Sequence, residues 1–162
     1  LFYSYTKRFT PLCHLVLGLG LSLSPIGAYI AVTGQFAIVP VLFSLSVLFW
    51  VSGFDIIYAL QDEEFDKKHQ LRSIPSWLGA KRALHVSEFL HFLSATSVIA
   101  AGIIGGFSWL YLIGVILFIF FLIYQHILVK PNDLSKVDKA FFSSNGIASV
   151  VFCAFVLLDI FT

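Results

Sequence analysis

Asp55, Asp62 and Asp66 follow an Asp-x6-Asp-x3-Asp spacing in a run that holds five carboxylates within twelve residues, in a chain only 12% charged. On one continuous helix these three fall within about 40° of one another and Tyr58 lies about 60° away, while Glu63 and Glu64 point elsewhere. Carboxylates stacked on one face repel, and the arrangement is tolerable where a cation sits between them. Oxygen-only ligands at this spacing suit Mg²⁺, which takes a few carboxylates and completes its shell with water and substrate phosphate. Lys67, Lys68 and Arg72, next along the chain, offer the charge a diphosphate needs beside such a metal. The plainer alternative is a solvated acidic cap on a helix end. Position favours chemistry: the acids begin where an apolar run ends, and ionisable residues at the mouth of a membrane helix usually mark function.

The elements that must hold these residues are membrane helices. Hydrophobic residues make up 59% of the chain and the mean hydropathy is +0.93, far beyond a soluble domain of 162 residues. Apolar runs near 12–32, 36–54, 83–104, 109–128 and 137–161 are each long enough to span a bilayer. The fold class is therefore all-α, a polytopic membrane helix bundle. Gly18, Gly20 and Gly27 offer close helix contacts in the first span, where Pro25 is expected to kink the helix. Residues 55–82 form the one sizeable polar segment, read as helix, a break at Ser73-Ile74-Pro75-Ser76, and a short amphipathic piece. Lys130-Pro131-Asn132-Asp133 reads as a turn.

Charge sets the topology. All ten Lys and Arg residues fall before the first span, between the second and third, or between the fourth and fifth. The connections near Thr33 and Gly105 carry no charge. The positive-inside rule then puts the acidic stretch, Lys7 and the segment 130–139 together on the cytoplasmic side. No basic groove with interleaved aromatics appears, which excludes nucleic acid as a partner. Cys13 and Cys153 sit in apolar runs without a partner at metal spacing and read as small hydrophobes. His85, His91 and His126 read as interface or packing residues, and Glu88 as a partner for Arg82 or His91. No signal peptide is visible. The chain contains no Met, so it is expected to be part of a longer protein.

With those residues in view, the sequence resembles the UbiA family of intramembrane aromatic prenyltransferases. Asp55, Asp62 and Asp66 match the family's second aspartate-rich motif. Tyr3-x3-Lys7-Arg8-x-Thr10 is similar to its Tyr-Pro-x-x-Lys-Arg-x-Thr segment, with Ser4 in place of Pro. Leu17-Gly18 and Pro25 stand at familiar distances beyond it. Arg72-Ser73 with Leu78-Gly79 resembles the Lys-Ser-Thr…Phe-Gly element. Lys139-Ala140-Phe141-Phe142-x-x-Asn145 is similar to the opening of the closing helix. Gln70 stands where the family usually has Gly.

The resemblance implies a nine-helix bundle around a cavity open to the bilayer, of which residues 1–162 are the C-terminal part, about five helices. It also implies Mg²⁺-dependent transfer of a polyprenyl group from its diphosphate to an aromatic acceptor, 4-hydroxybenzoate-like, in quinone biosynthesis. Asp55, Asp62 and Asp66 are then the expected catalytic residues, with Asp62 and Asp66 as metal ligands. Lys7, Lys68 and Arg72 are expected to contact the diphosphate, and Tyr3, Tyr58 and Asn145 to line the substrate cavity. The first aspartate-rich motif and its helices are absent from these residues, so this polypeptide alone is expected to be inactive. A bacterial-type inner membrane is the expected location. The rival of a different class is a cation transporter, or a non-catalytic membrane component, using the acidic face as an ion site. A transporter predicts acids well inside several spans, whereas here most collect at one mouth. A CDP-alcohol phosphotransferase is disfavoured because Asp55 is succeeded by Ile-Ile-Tyr-Ala.

Overall fold

A helix needs about twenty apolar residues to cross a bilayer, and the described residues supply five such runs as helices. The structure, a computed structural model, describes residues 5–162, so Tyr3 lies outside the described residues. The spans are α1 (Cys13–Thr33), α2 (Ile38–Ala59), α5 (Ala80–Gly105), α6 (Trp109–Leu128) and α7 (Asn145–Phe161). A π-helical turn, Lys139–Ser144, leads into α7 and extends that span to 23 residues. Between α2 and α5 lie a 3₁₀ turn at Leu60–Asp62 and two short helices, α3 (Glu63–Lys68) and α4 (Ile74–Leu78). The protein is an integral, multi-pass membrane protein of all-helical fold.

α2 is the hub and packs against both α1 and α5, while α6 packs against α7. Two cores form. One, at the end that carries the aspartates, joins Ile56, Ile57 and Leu60 to Ile74, Leu84, Val129 and Val137. The other joins Val98, Tyr111, Val115, Phe118 and Leu122 to Ala148. Gly18 allows the tightest approach: a Cβ there would meet Ser52 Oγ and the Leu48 carbonyl. Gly20 and Gly27 have open space instead, so only one of the three glycines read as contact residues makes such a contact.

α1 runs through Pro25 without interruption, and the Ile26 amide is accepted by Ser44 Oγ of α2 at 3.2 Å. The segment Ser73–Ser76, expected to break a helix, starts one. Ser73 is the N-cap of α4, its hydroxyl accepting from the Ser76 amide while Ser76 Oγ accepts from the Ser73 amide. Proline in the first turn lacks only an amide that would be unpaired there.

Some polar groups inside the spans find partners across helices and others within their own helix. His91 Nδ1 and His126 Nε2 are 2.8 Å apart and link α5 to α6, and the His91 ring rests on Gly53. Glu88 pairs with His85 at 3.0 Å, not with Arg82 or His91: both histidines are three residues away, but His91 is buried against Gly53 and His126 whereas His85 is exposed beside Glu88. Asp159, near the end of α7, accepts from the amides of Ser108 and Tyr111 at 2.9 and 3.0 Å, as well as from the Ser108 hydroxyl. A carboxylate there complements the N-terminus of α6. In the 130–133 turn, Lys130 and Asp133 exchange backbone hydrogen bonds. Ser135 donates its hydroxyl and amide to the Asp133 carboxylate and holds it below the usual range.

Candidate active site

The helix carrying the aspartates does not continue unchanged. A 3₁₀ turn winds by about 120° per residue rather than 100°, so Leu60–Asp62 rotates the residues after it by roughly 60° relative to Asp55. The three carboxylates therefore divide. Asp66, 1% exposed, and Asp62, at the rim, meet at the Lys7 ammonium. Lys7 Nζ lies 3.2 and 3.4 Å from the two oxygens of Asp66 and 3.7 Å from Asp62 Oδ2. Asp55, nearly buried on α2, binds Nδ1 of His14 at 2.7 Å.

Backbone hydrogen bonds fix Lys7 in place. α3 ends with the Gln70 amide donating to Lys67 O and the Leu71 amide donating to Asp66 O. Gln70 takes a left-handed φ of +56°, where Gly is favoured because it has no Cβ to strain. The turn sends the chain back so that the Arg72 amide donates to Lys7 O at 2.6 Å, and Arg72 Nη1 donates to Phe9 O at 3.0 Å. The backbones of Arg72 and Lys7 are thus joined, and it is the Lys7 side chain that reaches Asp66, while the Arg72 guanidinium is turned to Phe9 O. Lys68 is exposed, and no ion pair joins it to the aspartates among the described residues. Lys67 instead pairs with Glu63 at 2.5 Å.

α1, α2 and the start of α7 line an open cavity of about 520 Å³, with Trp50, Phe54, Phe141, Phe142 and Asn145 in its wall and Ser24 and Pro25 among its α1 residues; none of the three aspartates lines it. Tyr58, one turn beyond Phe54, stacks on Phe141 with centroids 4.3 Å apart. Asn145 Oδ1 accepts from Trp50 Nε1 at 3.1 Å and Gln125 Nε2 at 2.7 Å, while its amide donates to Phe141 O. The Asn145 side chain is therefore committed to joining α2, α6 and α7 even though the residue lines the cavity. Asn145→Ala strands both donors and is expected to cost about 1–3 kcal/mol, read as a lower unfolding temperature in detergent.

Among the described residues, no three His, Cys, Asp or Glu side chains are placed to hold a metal by themselves. Mg²⁺ does not require three: it is commonly held by one or two carboxylates plus substrate phosphate and water. Asp62 and Asp66 already converge on one cationic group, so the donor set fits half a shell. His14 escapes sequence reasoning because a single His in an apolar run resembles any packing residue.

The sequence model of the UbiA prenyltransferase family matches residues 1–147. The 4-hydroxybenzoate octaprenyltransferase of Francisella tularensis subsp. novicida (strain U112) is 28% identical over 155 residues, covering 96% of this chain and 54% of that protein. The protein of the same name from Psychromonas ingrahamii is 28% identical over 159 residues, with the same shares covered. A solved structure, the apo form of a UbiA homolog from Aeropyrum pernix K1, superposes with a TM-score of 0.85 at 30% identity. It covers 98% of this chain and 59% of that one. The chain spans about half the length of the curated relatives it matches.

Proposed function

Because the chain belongs to the UbiA prenyltransferase family, we propose that it is the C-terminal part of an enzyme that moves a polyprenyl group from its diphosphate to an aromatic acceptor, 4-hydroxybenzoate-like, in quinone biosynthesis. The observation that carries this reading is the convergence of Asp62 and Asp66 on one cationic group, the Lys7 ammonium. Residues 1–162 then form one unit, with 55–82 as its cytoplasmic polar loop in a bacterial-type inner membrane.

Asp62 and Asp66 would hold Mg²⁺. Bound there, the metal would neutralise the diphosphate as the allylic C–O bond breaks. Lys7 stands beside the same carboxylates and would take part of the remaining phosphate charge, with Arg72, whose amide holds the Lys7 carbonyl, and the exposed Lys68 as further sources of positive charge. Trp50, Phe54, Phe141 and Phe142 of the cavity wall, with Tyr58 packed on Phe141, would exclude water from the allylic cation and offer it aromatic rings, which attract cations. The aromatic ring of the acceptor then forms the new C–C bond and gives up a proton. The remaining metal ligands would come from helices outside these residues, so this polypeptide alone is expected to be inactive.

The test uses membranes containing the full-length protein, labelled geranyl diphosphate and a panel of aromatic acids. Product is expected with Mg²⁺, a loss of at least about 10³-fold with EDTA, and recovery on adding Mg²⁺ back. Equal product with and without Mg²⁺ would remove the metal from the reading.

A further inference from the structure

His14 is completely buried, near the start of α1, and both of its ring nitrogens are engaged. The Ile74 amide lies 3.4 Å from Nε2, and Asp55 Oδ2 lies 2.7 Å from Nδ1. An amide can only donate, so Nε2 accepts and the ring proton sits on Nδ1, donated to the carboxylate. One imidazole therefore joins three elements: α1 through its own backbone, α2 through Asp55, and the first residue of α4 through Ile74. The Ile74 amide is one of the helix-start donors that no carbonyl within α4 can satisfy. Two residues before it is Arg72, whose amide holds Lys7 O. The His14 carbonyl also accepts from Ser52 Oγ at 3.1 Å, which pins the residue's main chain to α2.

We propose that His14 is a positioning residue of the aspartate site and that Asp55 acts through it, not as a metal ligand. The clamp sets where the 69–74 connection, with Arg72 and the attached Lys7, sits against Asp62 and Asp66. This rests on the prenyl-transfer reading for its kinetic consequence, but its structural consequence stands independently. The chemistry required at position 14 is one donor and one acceptor held about as far apart as two ring nitrogens. A glutamine amide offers the same pair. A leucine offers similar bulk and neither.

The experiment compares the full-length protein with His14→Gln and His14→Leu by hydrogen–deuterium exchange over residues 72–78 and by donor kinetics. His14→Leu is expected to speed exchange there and to raise KM for the diphosphate donor about 10- to 100-fold, the usual size for loss of an outer-shell partner. His14→Gln should restore both. If His14→Leu keeps the exchange and KM of the unaltered protein, His14 only fills space and the proposal is overturned. Where His14→Leu does not fold, His14→Gln decides: unaltered exchange supports the clamp, and fast exchange in a folded protein overturns it. An unaltered protein that turns over no donor counts against the prenyl-transfer reading, while the exchange result still judges the clamp.

Discussion

Asp66→Asn is expected to lower prenyl transfer by the full-length protein at least about 10³-fold, since a metal's stabilisation of a leaving group is worth several kcal/mol and each 1.36 kcal/mol is tenfold. The substitution is nearly isosteric, and its amide oxygen can still accept from Lys7, so the fold should persist. The loss is the negative charge of the more buried of the two carboxylates that share the Lys7 ammonium. Glu64→Gln is the matched control, on an exposed residue of the same short helix, and should change turnover less than about twofold, as surface substitutions shift energies by under ~0.5 kcal/mol. Undiminished turnover in Asp66→Asn would return the stretch to a solvated helix end.

The second large effect concerns stability. Gly18→Val is expected to destabilise the protein by at least about 3 kcal/mol, the upper end of overpacking costs. The reason is that the obstacle includes a backbone carbonyl. Ser52 Oγ could rotate away, but the Leu48 carbonyl is held in the α2 hydrogen-bond ladder and cannot yield without parting α1 from α2. Gly20→Val, two residues on, meets nothing within 4 Å and should stay within about 1 kcal/mol. Thermal unfolding in detergent measures both. Similar melting temperatures for the two variants would mean that α1 and α2 do not depend on this contact.

The five spans are legible in the sequence because hydropathy and length alone decide which segments a bilayer accepts. The 109–128 helix matches its apolar run residue for residue. The aspartate face is legible only in part. Spacing arithmetic assumes a constant turn angle, and the 3₁₀ turn at Leu60–Asp62 changes it, so Asp55 parts from Asp62 and Asp66. Pro75 reads as a breaker because proline within a helix and proline in its first turn look alike until the Ser73 cap is seen. Gln70 is the informative mismatch: a position usually Gly proves to need a left-handed φ, a cost of about 1–2 kcal/mol for a residue with a Cβ. The His14 clamp cannot be read from the sequence at all, since its partners lie 41 and 60 residues away and no local pattern connects them.

The attachment of Lys7 has a kinetic consequence. Its carbonyl is fastened to the Arg72 amide while its ammonium reaches Asp66, so the side chain is an arm on a fixed pivot. If, as proposed, a metal sits between the two aspartates, the arm would have only to change rotamer to admit it, a motion of picoseconds to nanoseconds at accessible positions, whereas loop opening takes up to microseconds. Loading of the site should therefore be limited by how fast the ion sheds water and arrives, with no gating lag in stopped-flow. On the proposed reading, the same arm, once displaced, would still carry its charge close to the aspartates, where a diphosphate would arrive.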